Sequence, residues 1–216
     1  MKIFLDSVDV AEISKFVDYG IIDGITTNPT LMASTPMSFS EIITELALLL
    51  KGDISVEVVS NDFQSMIKEG NKILEIDSNL VIKLPITWSG IKACKYFSKQ
   101  NIKVNMTLCF CLNQALLAAK AGATYVSPFV GRLEDIGDDG IGLISDIRSV
   151  YNNYSIKTEI LAASIRTLDH VKQVALNGAN AVTLPIKILS EMINHQLTEV
   201  GLKKFNDDWI KSGKKF

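Results

Sequence analysis

The sequence predicts an α/β protein built as one closed (β/α)8 barrel, and three observations lead there. Eight short apolar runs bounded by breakers alternate from end to end with segments of helical period. Their starts run from residue 2 to residue 180, a mean spacing of about 25 residues, which is the pitch of a βα unit rather than of a β-sandwich. Two stretches also repeat: Ala121-Gly122-Ala123 leads into Tyr125-Val126-Ser127-Pro128, and Asn177-Gly178-Ala179 into Ala181-Val182-Thr183-Leu184-Pro185. Both read as helix, glycine cap, strand and proline. An open doubly wound sheet is the alternative topology, but the Gly-rich dinucleotide fingerprint is missing after the first strand. At 216 residues the chain is slightly shorter than the roughly 250 typical of such barrels, which leaves little room for insertions. No low-complexity linker divides it, so residues 1–216 are expected to form one domain.

Taken in order, the strands are expected near 2–6, 22–27, 54–58, 80–84, 102–106, 123–127, 157–162 and 180–184. After the first, Val10, Ile13, Phe16 and Val17 recur at helical spacing; after the second, Phe39, Ile42, Ile43, Leu46 and Leu50 do. Ser38 and Glu41 form the S-x-x-E pattern that opens a helix. Leu112, Ala115, Leu116 and Ala119 mark a further helix, and Leu143, Ile144, Ile147 and Val150 another. Beyond the eighth strand, residues 198–211 are amphipathic through Val200, Leu202, Phe205, Trp209 and Ile210. That extra helix either caps the barrel or packs on another subunit.

Composition narrows the function. A net charge of −2 with interspersed signs gives no electrostatic footprint for nucleic acid or an anionic membrane, so any anion recognition is local. The longest apolar stretch falls far short of the roughly 20 residues a membrane span needs. Met1-Lys2 runs directly into the strand-like Ile3-Phe4-Leu5, so no secretory leader is expected, and three cysteines without a disulfide pattern fit a cytoplasmic location. Cys109 and Cys111 lie two apart, but with only His170 and His195 in the chain no metal site is expected.

The chemistry centres on Leu80-Val81-Ile82-Lys83-Leu84-Pro85, an apolar run with one amine near its end. A lysine held in apolar surroundings is pushed toward the free amine, which attacks carbonyls; the plainer reading is that Lys83 snorkels from a strand end into water. Its neighbours in a barrel favour the first. Asp6 ends the first strand, Asn28 the second and Glu57 the third; Asn105 with Thr107 ends the fifth, Ser127 the sixth, and Ser164 follows the seventh. Arg132 and Arg166 come just after the sixth and seventh. Singly, each has a plain explanation: Asp6 suits the cap of the next helix, Asn28-Pro29 a turn, and the arginines surface pairing with Glu134 or Asp135. Together they supply an amine for iminium formation, carboxylates for proton transfer, amides and hydroxyls for sugar hydroxyls, and two guanidiniums for a terminal phosphate.

Several motifs carry a resemblance to a known family. Ile3-Phe4-Leu5-Asp6, Ile25-Thr26-Thr27-Asn28-Pro29-Thr30, Val81-Ile82-Lys83-Leu84-Pro85, Asn105-Met106-Thr107-Leu108, the run from Gln114 to Ala123, Tyr125 to Arg132, Ile136 to Gly140, and Ala162 to Arg166 resemble the small transaldolase family in order and spacing. The resemblance spans nearly the whole chain. It implies a TIM barrel of class I aldolase type, working in the pentose phosphate pathway without metal or cofactor. It makes Lys83 the Schiff-base lysine, Asp6 the acid/base at the cleaved bond, and Glu57 with Thr107 the pair that positions a water. Asn28, Asn105, Ser127 and Ser164 then contact substrate hydroxyls, with Phe129 beside them, and Arg132 and Arg166 grip phosphate.

The implied activity transfers a dihydroxyacetone unit from sedoheptulose 7-phosphate or fructose 6-phosphate to glyceraldehyde 3-phosphate or erythrose 4-phosphate. Fructose 6-phosphate aldolase is the close alternative, though it tends to carry Gln at the position of Glu57 and Tyr at that of Phe129; a non-catalytic sugar-phosphate binder is the third. Trp88-Ser89 and Thr167-Leu168 depart from the family pattern beside the core motifs. The resemblance further implies a homo-oligomer, commonly a decamer of two pentameric rings.

Overall fold

Eight parallel strands pair in sequence order and close on themselves: β1 (Lys2–Asp6), β2 (Gly24–Thr26), β3 (Asp53–Glu57), β4 (Val81–Pro85), β5 (Val104–Cys109), β6 (Tyr125–Pro128), β7 (Glu159–Ala162) and β8 (Ala181–Leu184). The ring closes where Lys2 to Leu5 pair with Ala181 to Leu184. Parallel neighbours need long crossovers, and helices supply them: α1 (Val10–Val17), α2 (Pro29–Ala33), α3 (Phe39–Leu49), α4 (Phe63–Ile76), α5 (Trp88–Ser98), α6 (Leu112–Ala121), α7 (Val130–Glu134), α8 (Gly140–Asn153), α9 (Leu168–Leu176), α10 (Ile186–Glu191) and α11 (Gln196–Ser212). This computed structural model describes residues 1–215; Phe216, at the end of the expected domain, lies outside them.

Helix starts are set by local polar groups. Ser38 and Glu41 form the reciprocal cap of α3, with Ser38 N–H donating to Glu41 Oε2 at 2.8 Å. Asp9, not Asp6, caps α1 by accepting from Glu12 N–H at 3.0 Å, so Asp6 is left for other work. Thr87 caps α5 and Thr167 caps α9 in the same way. In the repeated segments Gly122 and Gly178 hold φ of +93° and +85°, the left-handed turn that lets the chain leave a helix and enter a strand.

Successive residues of a strand face opposite ways, and this sorts the core into two sets. Outward residues such as Ile25, Val56, Ile82, Met106 and Val182 join the helices in the main apolar layer, where they meet Ile42, Leu46, Phe97 and Ile147. Full burial of each such side chain contributes about 1.5–3 kcal/mol. Inward residues form a second, separate cluster of Phe4, Val81, Tyr125, Leu161 and Ala181, which fills the lower barrel. Gly24 belongs to this floor: a methyl group there would stand 2.5 Å from the Phe4 ring. Below it, Tyr125 Oη donates to Asp53 Oδ2 at 2.6 Å, and Lys2 and Lys103 pair with Glu159 and Asp53.

The terminal helix differs from the rest. α11 buries none of its residues, and Val200, Phe205 and Ile210 are exposed. Capping of the barrel, one of the two arrangements expected for it, is therefore not what this chain forms. Among the described residues no helix is long and apolar enough to cross a membrane.

Candidate active site

Above the apolar floor the inward positions turn polar: Asp6 on β1, Thr26 on β2, Ser55 and Glu57 on β3, Lys83 on β4, Asn105 and Thr107 on β5, Ser127 on β6 and Thr183 on β8. A cavity of about 350 Å³ opens over them at the C-terminal ends of the strands, within the range of roughly 300–1,000 Å³ usual for small-molecule sites. Asp6, Asn28, Glu57, Lys83, Thr107, Ser127, Phe129, Arg132 and Ser164 line it. A larger groove of about 880 Å³ between α6 and the start of β7 holds Lys120 and Lys157 but none of these groups.

Lys83 is 5% exposed, so it does not snorkel into water. Its Nζ donates to the Thr27 carbonyl at 2.8 Å and lies 2.9 Å from Glu57 Oε2 on the neighbouring strand, to which it is register-paired. Removing an ion pair of this depth from water is costly, which makes it a weak source of stability and points to retention for chemistry. Across the cavity Asp6 accepts from Thr26 Oγ1 at 2.9 Å, and Thr26 is in turn 2.6 Å from Thr183 Oγ1. Because Thr26 gives its proton to Asp6, Thr183 must donate to Thr26. Burial pushes the Asp6 carboxyl above the usual aspartate range; the Lys83 charge and hydrogen bonds from Thr26 and Asn28 offset part of that rise. Asn28 serves two ends, since its Oδ1 also caps α2 by accepting from Leu31 N–H at 2.9 Å.

Thr107 presents the reverse case. Its Oγ1 is buried with no hydrogen-bond partner among the described residues, a costly state in a native interior. Next to it Leu108 adopts φ +59°, where the register between β5 and β6 shifts over Met106 to Cys109. Ser164, on the far rim, holds φ +60°. Non-glycine residues in this region cost about 1–3 kcal/mol and concentrate where a site dictates the backbone.

Two residues expected at the mouth lie elsewhere. Asn105 is fully buried one layer lower, its amide donating to Ser55 Oγ at 3.2 Å and its oxygen accepting from Ser127 Oγ at 2.7 Å. It braces the floor of the cavity. Arg166 is exposed and pairs with Asp135, one contact standing at 2.5 Å, which is the surface pairing weighed above for the arginines. Arg132 does reach the cavity, with its guanidinium 5.1 Å from the centre of the Phe129 ring. Conversely, Thr26, Ser55 and Thr183 were not singled out by the sequence as site residues. Cys109 is buried, which pushes its thiol up to about 12, and among the described residues no cluster of three His, Cys, Asp or Glu could hold a metal ion.

A ring of polar groups at the C-terminal mouth of such a barrel is where these folds carry chemistry, and the class defined here is a (β/α)8 barrel enzyme. The chain belongs to the transaldolase/fructose-6-phosphate aldolase family, whose model matches residues 3–216. It is 50% identical over 215 residues to a probable transaldolase of Dinoroseobacter shibae, covering 100% of this chain and 99% of that one. Probable transaldolases of Brucella anthropi and Roseobacter denitrificans are 50% and 49% identical over the same length and coverage. Among solved structures, thiamine phosphate pyrophosphorylase from Pyrococcus furiosus superposes with a TM-score of 0.62 at 15% identity, covering 88% of this chain and 93% of that one; the likeness is one of fold.

Proposed function

We propose that the chain is a transaldolase that works through a Schiff base on Lys83. The observation that carries the reading is a lysine amine at a strand end, buried in a polar cavity and 2.9 Å from Glu57, with Asp6 lining the same cavity. Glu57 takes a proton from Lys83, and the free amine adds to C2 of a ketose phosphate. Loss of water gives the iminium, with Glu57 and the unpartnered Thr107 hydroxyl holding that water. Asp6 accepts the C4 hydroxyl proton, the C3–C4 bond breaks, and its electrons move into the iminium to leave an enamine of dihydroxyacetone on Lys83. The aldose phosphate departs. An incoming aldehyde is then attacked by the enamine, Asp6 returns its proton to the new alkoxide, and water hydrolyses the iminium. A carboxyl whose pKa is raised by burial is suited to both halves of that exchange.

Fructose 6-phosphate or sedoheptulose 7-phosphate is the donor, and glyceraldehyde 3-phosphate or erythrose 4-phosphate the acceptor. Arg132, with Arg166 once released from Asp135, grips the phosphate. In this reading the chain is one cytoplasmic barrel domain that assembles with copies of itself, for which the exposed apolar residues of α11 are the support. The test is borohydride reduction in the presence of fructose 6-phosphate, followed by peptide mass analysis, beside an assay with and without erythrose 4-phosphate. A stable adduct on Lys83 and aldehyde release that requires the acceptor are expected. No adduct in folded protein would sink the Schiff base; acceptor-independent release with free dihydroxyacetone would make the chain the aldolase of the same family.

A further inference from the structure

The loops that follow β6 and β7 are tied together by a residue outside the cavity. His170, on α9, is 9% exposed, and both of its ring nitrogens are engaged. Nδ1 faces the backbone N–H of Arg166 at 3.3 Å, and Nε2 lies 2.8 Å from Glu134 Oε2 at the end of α7. A backbone N–H only donates, so Nδ1 must present its lone pair; the ring is then neutral, with its proton on Nε2 and donated to Glu134. The tautomer is thus set by the contacts. The next residue, Asp135, holds the Arg166 guanidinium, and Gly131 N–H donates to the Ser164 carbonyl at 3.1 Å. Arg166 also runs close over Gly131, where a methyl group would meet its Nε at 2.8 Å.

These contacts converge on one short segment. Ser164 sits in a strained left-handed conformation, and two residues later the chain delivers Arg166. Without an acceptor at Nδ1 the Arg166 N–H would be left without this partner and the segment freed to turn. The side chain most affected is the Arg166 guanidinium, which Asp135 now holds. We propose that His170 is a positioning residue: its Nδ1 lone pair fixes the Arg166 backbone, so that both arginines meet the phosphate end of the substrate in one geometry. The proposal rests on the reading of Arg132 and Arg166 as the phosphate grip.

Two substitutions separate the nitrogens. An asparagine amide overlays Nδ1, so His170→Asn keeps an acceptor for Arg166 N–H and loses Glu134. A glutamine amide reaches the Nε2 position, so His170→Gln keeps Glu134 and abandons Arg166. Inorganic phosphate, as a competitive inhibitor of fructose 6-phosphate, is the probe, with KM and kcat measured alongside. His170→Gln is expected to raise the phosphate Ki and the KM about fivefold, the loss of one hydrogen bond, with kcat within about twofold of the unmodified enzyme. His170→Asn is expected to stay near the unmodified values. Equal effects in the two variants, or a fall in kcat with Ki unchanged, overturn the proposal. Arg166→Gln is the control for its foundation: if that variant leaves the phosphate Ki unaltered, the phosphate-grip reading fails, whereas a raised Ki there with none in His170→Gln sinks the role of His170 alone. Should a His170 variant not fold, Glu134→Ala decides, because it removes the Nε2 partner and leaves the Nδ1 contact in place; a phosphate Ki near the unmodified value is expected there, and a fivefold rise overturns the proposal.

Discussion

Replacing Thr107 by valine should make the enzyme sturdier and slower at once. The side chain is fully buried on β5, and its hydroxyl has no partner among the described residues. An unsatisfied buried hydroxyl costs about 1–3 kcal/mol, and a methyl in its place gains roughly 0.8 kcal/mol of transfer energy. Valine keeps the branched shape and suits a strand, so little repacking is needed. A net gain of at least about 1 kcal/mol is expected, which for a chain of this size raises Tm by about 2–4 °C. Under the proposed mechanism turnover should fall by about a hundredfold, since water in the imine steps then loses one of its two holders. Urea unfolding followed by circular dichroism gives the first number, and acceptor-dependent release of glyceraldehyde 3-phosphate gives the second. A Thr107→Val protein destabilised by more than about 1 kcal/mol would show that the hydroxyl is satisfied in the folded state. Undiminished turnover would remove Thr107 from the mechanism.

Asp6 makes a pH-dependent prediction whose sign follows from burial. Its carboxyl titrates above the ordinary aspartate value of about 3.9, so in the window between the two the folded state binds more protons than the unfolded one, and stability falls as pH rises. The Tm of Asp6→Asn relative to the unmodified protein should therefore climb through that window and then level off, while activity is lost; a pH-independent difference in Tm refutes the sign. Gly24→Ala tests the barrel floor: a Cβ standing 2.5 Å from both the Phe4 ring and the Asp53 carbonyl forces the β1–β3 wall apart. It should cost about 1–3 kcal/mol in urea unfolding, and a neutral result would mean that the floor yields easily.

Much of the architecture was legible because hydrophobic period reports which face of an element is covered. The run from Leu80 to Pro85 and the helical spacing from Phe39 to Leu50 needed no tertiary information, and they form β4 (Val81–Pro85) and α3 (Phe39–Leu49). Lys83 stood out for a related reason, a lone amine inside an apolar strand. The second strand shows the limit: residues 22–27 read as one run, yet only Gly24–Thr26 pair. Asn105 was read with Thr107 as the polar end of the fifth strand, expected near 102–106. The strand runs from Val104 to Cys109, which drops Asn105 a layer and leaves Thr107 to line the cavity. Thr26, Ser55 and Thr183 were hidden by their own propensity, since hydroxyl residues in a strand look like ordinary strand formers until the ring shows which way they point. The pairing of Arg166 with Asp135 was weighed from sequence, but the histidine beneath it was not, because its two contacts come from separate loops.

Barrel closure also orders events in time. Asp6 leaves the ribosome early, and Thr26 follows within twenty residues, but Thr183, which completes the hydroxyl chain behind that carboxylate, is separated from Thr26 by 157 positions. The β1–β8 seam cannot form until Ala181 to Leu184 have been synthesised. Contacts this distant in sequence are slow to form, and until they do β1 and β7 each present a bare edge. A growing chain therefore holds its amine, its acid and its first arginine long before they share one cavity. The cavity that gathers them, with Thr183 of the eighth strand in its wall, is thus withheld from every fragment that stops short of that strand.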